Sequence, residues 1–476
     1  MEATQNGIYM DISANQSSCS KHYFLVMTAI VAAIGGFLFG YDTGIISGAL
    51  MFITHTFPAS TFLQEVIVSS VVFGALLGAI VSGCLVDRYG SHRMLSGMAV
   101  TFLTGTLLSA VAVNLATLIL GRFIIGIAIG ITSYVSPLFI SEMAPAKQRG
   151  RLVLLNGIMI TSGEAIAFLV DYVLAPTQSW RLMFATGLIP ALLLLIGMMM
   201  LPATPRWMAL NGHTEKAREI FAMIRDSSHI EAELNDILQH AKQSSGKWPD
   251  LFSKSLRPVL IIGLGLGILQ QFVGINTVMY YGPSIFQAAG FGSESAQILA
   301  TFGMGLINTL MTVLAVLIVD KIGRRLMLLG GSLIAGTSLG IVGLLFALSG
   351  HDTISAWITF IFMITYIAGY SLSVGSLFWL VISEIYPLNI RGLAMSFVTA
   401  VQWGANFLVA VTFLSILAAI GPVYTFWTYG CMCILCFIFC YYLVPETRGV
   451  SLEQIEQNLR SGKRSRDLGD AINVLT

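Results

Sequence analysis

Two opposite charges stand inside apolar stretches of the N-terminal half. Asp42 closes Phe37-Leu-Phe-Gly-Tyr-Asp42, and Arg122 lies in Leu120-Gly-Arg122-Phe-Ile-Ile125. A charge at membrane depth is costly and is usually kept for function. An arginine beside an aspartate favours the ionised carboxylate, and its removal into apolar surroundings disfavours it. A movement that parts the pair therefore binds a proton, and one that rejoins it releases the proton. A static buried ion pair is the other reading. A third acid, Glu164, lies in another apolar stretch. It can tune a proton site, bond a ligand hydroxyl or pack in its protonated form; the expectation is a supporting role in the proton path.

The C-terminal half carries neutral amides instead: Gln270, Gln271, Asn276, Asn308, Gln402 and Asn406, all within apolar runs. An amide both donates and accepts hydrogen bonds, as a hydroxyl-rich ligand needs. It also avoids the penalty of burying a charge. Interhelical hydrogen bonding explains any one amide equally well; six in one half are harder to explain that way.

The elements holding these residues are set by hydropathy. Of the 476 residues 56% are hydrophobic and 10% charged, far below the charge of about 25% in a soluble domain. A spanning helix needs about 20 apolar residues. Twelve stretches qualify, near 22–48, 65–86, 94–113, 116–139, 151–173, 180–201, 258–287, 297–319, 327–349, 355–382, 393–420 and 422–444. The fold class expected is an all-α membrane protein with twelve transmembrane helices in two pseudo-symmetric six-helix bundles. Lys and Arg are absent from one set of connecting loops (49–64, 114–115, 174–179, 288–296, 350–354 and 421) and crowd the other, which includes Lys147, Arg225, Lys242 and Lys247. The positive-inside rule then puts both termini in the cytoplasm. The divisions expected are an N-terminal tail (1–21), a first bundle (22–205), a cytoplasmic helical linker domain (206–257), a second bundle (258–447) and a C-terminal tail (448–476).

The halves repeat. Ser141-Glu142-Met-Ala-Pro145 through Arg149-Gly150 and Ser383-Glu384-Ile-Tyr-Pro387 through Arg391-Gly392 share one pattern, Ser-Glu-x-x-Pro-x-x-x-Arg-Gly. Asp87-Arg88-Tyr-Gly90-Ser-His-Arg93 is matched by Asp320-Lys-Ile-Gly323-Arg324-Arg325. These charges fall at cytoplasmic helix ends, where Glu–Arg pairs can latch the halves together and must break on inward opening. Anchoring at the inner leaflet is the plainer role. Repeated halves suggest alternating access to a site near the midplane.

Several classes are disfavoured. A net charge of +1 argues against nucleic-acid binding, which needs a basic face. Cys431, Cys433, Cys436 and Cys440 fall on different faces of one apolar helix with no nearby His, which reads as packing rather than a metal site. No cofactor is implied, and no nucleophile–base pair marks an enzyme. Residues 1–20 are polar and lack a basic residue, so no cleavable signal is expected. Asn15-Gln16-Ser17 matches a glycosylation triplet on the cytoplasmic side, where it means nothing.

Over residues 20–455 the chain resembles the sugar porter family of the major facilitator superfamily. The resemblance rests on Gly40-Tyr41-Asp42-Thr43, Gly121-Arg122, the paired Asp-Arg/Lys-x-Gly loops and Pro202-Ala-Thr-Pro-Arg206. It rests also on Gln270-Gln271-Phe-Val-Gly-Ile-Asn276 with Tyr280-Tyr281, and Pro445-Glu-Thr-Arg-Gly449. It looks most like bacterial proton-coupled xylose, galactose and arabinose symporters, and like animal facilitative glucose transporters. The resemblance implies proton coupling at Asp42, where passive facilitators usually have Asn. It implies sugar contacts at Gln270, Gln271, Asn276, Trp379 and Gln402, with Asn308 close by. Trp403, like Trp379, can stack on a pyranose ring. Tyr280 and Tyr281 resemble an outer gate, although aromatic packing is a fair alternative. Two positions depart from the pattern. Gly157 stands where the family commonly has a sugar-contacting Gln. Gly375-Ser376 stands where it often has Gly-Pro; losing that proline is expected to stiffen span 10, while Gly369 and Gly375 leave it some flexibility.

The function expected is a proton-coupled symporter for a hexose or a pentose. Its partners would be the monosaccharide, protons and membrane lipid, with no nucleic acid, and it would act as a monomer in a bacterial inner membrane. An uncoupled facilitator and a membrane sugar sensor are the alternatives; the short tails disfavour the sensor.

Overall fold

A computed structural model describes residues 2–224, 227–241, 248–348, 353–387 and 390–470. The side chains of residues 1–20, Lys147, Arg225, Lys242 and Lys247 lie outside the described residues. So do residues 350–352 of one expected outer loop, and the end of the C-terminal tail.

The described residues are helical throughout. The first group is α1 (Glu2–Thr56), α2 (Thr61–Tyr89), α3 (Ser91–Ala110), α4 (Leu115–Met143), α5 (Ala146–Leu174), α6 (Trp180–Thr186) and α7 (Leu188–Met200). Four short polar helices follow: α8 (Pro205–Leu210), α9 (Thr214–Ile224), α10 (Ser227–Ala241) and α11 (Trp248–Leu251). The second group is α12 (Arg257–Phe272), α13 (Ile275–Tyr280), α14 (Gly282–Ala288), α15 (Glu294–Ile322), α16 (Arg324–Leu348), α17 (Thr353–Tyr370), α18 (Ser376–Ile385) and α19 (Arg391–Leu443), with α20 (Leu452–Arg460) near the end.

Among the described residues ten helices are long and apolar enough to cross a membrane. One of them, α19, runs for 53 residues, but Gly421 breaks it with φ 77° and ψ 168°. The first candidate span extends to Thr56, past the residue-48 end expected from the sequence, because Ala49, Phe52 and Ile53 are buried rather than looped out. The short helices α8, α9 and α10 pack on one another. Ile220, Phe221 and Ile224 supply the buried stripe of α9, and Arg218 binds Glu231 at 2.6 Å on the polar face. That contact holds the exposed Glu231 carboxyl below its usual range.

Each group packs mainly within itself. The two groups meet where α2 lies on α19 and α5 on α15, with α1 touching α13. Small residues set the closest approaches. Gly36, Gly40, Gly44 and Gly48 recur every fourth residue on α1, and α5 lies directly against them. A Cβ on Gly40 would stand 1.7 Å from the carbonyl oxygen of Ile160. Membrane helices have little hydrophobic drive to associate, so such backbone contact carries the packing. Gly40→Ala is therefore expected to lose most folded protein, read as the yield and thermal stability of detergent-solubilised protein; the same change at Gly97, which has open space around it, should be harmless.

Candidate functional site

The pair Asp42 and Arg122 is built by α1, α2 and α4. Arg122 is fully buried, and its Nε donates to the carbonyl of Ile67 at 2.8 Å. The Phe184 ring lies 5.7 Å from its guanidinium carbon. Its Nη2 stands 3.6 Å from Asp42 Oδ2, and neither atom has a hydrogen-bond partner. The contact is thus an ion pair without a hydrogen bond. The arginine is fixed to α2, while the aspartate rides on α1. A small shift of α1 makes or breaks the pair.

Glu164 is buried on α5 and reaches across to the second group. Asn308 of α15 donates to Glu164 Oε2 at 2.9 Å, and Ser371 donates to Asn308 Oδ1 at 2.7 Å. This three-residue chain ties the two halves together at the level of the amides.

The amides form a ladder. Gln402 donates to Gln270 Oε1 at 2.9 Å, and Gln271 Nε2 approaches the same oxygen at 3.5 Å. Asn276 donates to Gln271 Oε1 at 2.6 Å. Gln270 in turn donates to the carbonyl of Val374 at 3.2 Å. The ladder spans α12, α13 and α19 because the helix of span 7 breaks at Gly274, with φ 89°. A Cβ there would strike the Tyr429 ring at 2.8 Å. The side-chain oxygens of Gln402 and Asn406 are buried and unpartnered, so each is an acceptor open to a hydroxyl.

Not every expected residue joins this ladder. Trp379 is 38% exposed on α18 and meets Phe378 edge-on at 5.0 Å. Trp403 is buried, and Phe39 of α1 covers its ring at 5.3 Å. Tyr280 and Tyr281 are both buried; Tyr281 stacks on Phe413 and donates to the carbonyl of Ala410 at 3.3 Å. A Cβ on Gly157 would meet nothing within 4 Å, so a side chain is missing where there is room for one.

Span 10, which lacks the proline, is not a regular α-helix: a π-helical turn, Ser371–Gly375, interrupts it, with Ser373 at φ −118° and ψ −118°. Serine hydroxyls serve the disturbed backbone in place of the ladder. Ser373 donates to Gly369 O at 2.7 Å and Ser376 to Ser371 O at 2.7 Å. π-turns of this kind concentrate at functional sites.

The repeated Glu–Arg motifs also differ from expectation. The pairs seen among the described residues form within each half. Arg324 binds Glu384 at 2.9 Å and Asp320 at 3.0 Å, and Thr447 donates to Glu384 at 2.6 Å. Glu446 caps α16, accepting from the backbone of Arg324 and Arg325. In the first half Ser91 donates to Glu142 at 2.8 Å. Arg88 and Arg93 lie over the rings of Tyr89 and Trp207 at 5.4 and 5.6 Å, and Arg149 is exposed. Asp87 is exposed beside this cluster, and Arg391 Nε reaches the carbonyl of Tyr386 at 3.5 Å. Spacing placed these charges at one end of the helices, but it does not give the partner of each.

At the opposite end the halves are fastened by a residue that sequence reasoning missed. Glu65, fully buried on α2, accepts from the backbone N–H of Ser415 at 2.7 Å and from its hydroxyl at 2.6 Å. Glu65 stands at the first residue of an expected span, where a charge reads as a loop residue. The signal available was an acid directly followed by an unbroken apolar run.

A family profile described as "Sugar (and other) transporter" matches residues 28–459. The chain belongs to the sugar transporter family. It is a transporter and not an enzyme. It is 37% identical to the galactose-proton symporter of Escherichia coli K12 over 459 residues, 96% of this chain and 99% of that one. It is 40% identical to the D-xylose transporter of Levilactobacillus brevis over 432 residues, 90% and 94% of the two chains. Among solved structures, the partially occluded inward open conformation of the xylose transporter XylE from E. coli superimposes with a TM-score of 0.80 and 30% identity. That match covers 90% of this chain and all of that one. As in a transporter of this family, the helices on which the ladder and the ion pair sit are apolar and multi-pass.

Proposed function

We propose that this sugar transporter imports a monosaccharide together with a proton by alternating access. The observation that carries the reading is the Asp42–Arg122 contact, buried and incompletely bonded at 3.6 Å. Parting the pair would favour the protonated carboxyl, and a neutral residue at 42 could not exchange a proton. Relatives named for galactose–proton symport and for xylose transport support the substrate class; the choice between hexose and pentose rests on the pocket around Gly157.

The arrangement proposed has twelve spans. The break at Gly421 divides α19 into two, and α3, 20 residues long, supplies another. Both termini and the helices α8–α11 face the cytoplasm, and the divisions are 1–21, 22–205, 206–257, 258–447 and 448–476. The setting is a bacterial inner membrane, and the unit is the monomer.

The structure is then read as inward-facing. Glu65–Ser415 closes the outer end, while the cytoplasmic charges are satisfied within their own halves. In the cycle, a proton from outside neutralises Asp42 and frees it from Arg122. Sugar binds the ladder Gln270, Gln271, Asn276 and Gln402, with Asn308 and Asn406 beside it. The halves rock, Tyr280 and Tyr281 move with α13, and Trp379 and Trp403 reorient against the sugar. Glu164 reports the state of the first half to Asn308. The charges of Asp87, Arg88, Arg93, Glu142, Arg149, Asp320, Arg324, Glu384 and Arg391 meet across the halves only when the inner side closes. Sugar drives the change because it binds the occluded state more tightly than the open ones.

Glu65→Ala is expected to weaken outer closure. Ser415 is exposed, so water partly replaces the lost acceptor; at a net of about 0.5–1.5 kcal/mol per hydrogen bond, losing the clasp moves the balance toward outward-facing protein by about tenfold. A fluorescence pair across the outer ends of α2 and α19 should separate in the variant; unchanged distances would argue that the clasp is passive. The function itself is tested in energised vesicles: an inward proton gradient should drive labelled sugar above its outside concentration, and a protonophore should abolish the excess. Equilibration to equal concentrations, insensitive to the protonophore, would remove the symport reading.

A further inference from the structure

The seam between α1 and α5 holds a carboxyl that the cycle above does not use. Asp171 follows Glu164 by seven residues, two helical turns, and therefore shares its face. It is fully buried. Its Oδ2 accepts from the backbone N–H of Gly48 at 3.0 Å, and its Oδ1 has no partner. Gly48 brings this about: a Cβ there would lie 2.6 Å from the carboxyl. Gly48 is six residues beyond Asp42 on α1, a rise of about 9 Å at 1.5 Å per residue. By the proposed topology that rise points outward.

The groups facing Asp171 are few. Tyr41 lies within electrostatic range of both Asp171 and Asp42, and its hydroxyl bonds Thr186. Arg122 is engaged by Ile67 and Asp42. Arg181 turns to the carbonyl of Ala112 at 2.9 Å. Among the described residues no cation pairs with Asp171. A lone buried carboxylate with one neutral donor carries a desolvation cost that nothing here offsets. The same atoms suit a carboxylic acid: Oδ2 accepts from Gly48, and Oδ1 takes the proton.

We propose that Asp171 is a second proton-binding site of the transport cycle, outward of Asp42. Its proton comes from outside water and occupies Oδ1 while α1 and α5 are pressed together. Sliding of α1 past α5 withdraws Gly48, wets the carboxyl and returns the proton to water. The shared seam ties this site to Asp42, because the same movement of α1 parts or joins Asp42 and Arg122. The inference rests on the proton-coupled reading and adds one proton site to it.

The test is the pH dependence of sugar affinity in purified full-length protein, followed by intrinsic tryptophan fluorescence. One linked proton changes affinity by at most about tenfold per pH unit, and two by about a hundredfold. The steepest part of the wild-type profile should exceed tenfold per unit. Asp171→Asn, which mimics the protonated acid, should reduce it to tenfold or less, and Asp171→Glu should restore the steep slope at a displaced pH. A profile for Asp171→Asn that superimposes on wild type means a permanently protonated packing residue and overturns the proposal. A flat profile in wild type, unchanged by Asp42→Asn, instead overturns the symport reading. Infrared spectroscopy of wild-type protein with isotopically labelled aspartate, which separates Asp bands from those of the buried Glu65 and Glu164, covers the case in which the variants do not fold. Two label-shifted protonated-carboxyl bands that bleach as pH rises support the second site. A single band contradicts it.

Discussion

Asp42→Asn should lose all concentrative sugar uptake while still exchanging labelled sugar across the membrane. The amide side chain fills the same space and keeps a polar contact with Arg122, but it cannot take up a proton. Each proton brought inward across 100 mV supplies about 2.3 kcal/mol, enough for a concentration ratio of about 50-fold at a tenfold change per 1.4 kcal/mol. That ratio should fall to one in the variant. Exchange should persist because the ladder and both helix seams are untouched. If Asp42→Asn still accumulated sugar against a gradient, the proton would have to enter elsewhere, and Asp42 would be only the structural partner of Arg122.

The second large effect is expected at Gln270. Its Oε1 receives both Gln402 and Gln271, and its Nε2 holds the carbonyl of Val374 beside the π-turn. Gln270→Ala leaves those groups without their partner and removes the centre of the ladder. A loss of about 2 kcal/mol, from the range of 1–3 for a buried group left unpaired, weakens sugar affinity by about 30-fold. Isothermal titration in detergent measures it directly. Gln271→Ala should cost less, since Gln271 has one firm partner, Asn276, and only a long 3.5 Å contact to Gln270. Equal affinities for both variants and wild type would place the sugar elsewhere.

Much of this was legible in the residues. Apolar run lengths located the spans, and the break at residue 421 showed as a Gly-Pro step between two apolar runs. The amides stood out because polar side chains are rare at that depth, and the structure does gather four of them. What stayed hidden has a common cause: it depends on contacts between distant segments. Asp171 lies near the end of the expected span 151–173, and nothing in the sequence marks Gly48 of α1 as its neighbour. Glu65 is the first residue of the expected span 65–86, and only α19 reveals its partner, Ser415. The partners of Glu142 and Glu384 could not be read from spacing, because they come from segments distant in the chain: Ser91 for the one, Arg324 and Thr447 for the other. The π-turn of span 10 was missed because no proline marks it, and the serine hydroxyls that bond its backbone carbonyls leave no distinctive pattern in the chain.

The most direct test is sugar-driven proton movement by the wild-type protein. Purified protein in liposomes loaded with a pH-sensitive dye is given D-glucose, D-xylose, D-galactose or L-arabinose outside, with no imposed gradient of protons. The account predicts that at least one of these sugars acidifies the lumen as it enters, and that a protonophore collapses the signal. Entry of labelled sugar with no change in lumenal pH, for every sugar that is transported, would contradict it and leave a facilitator.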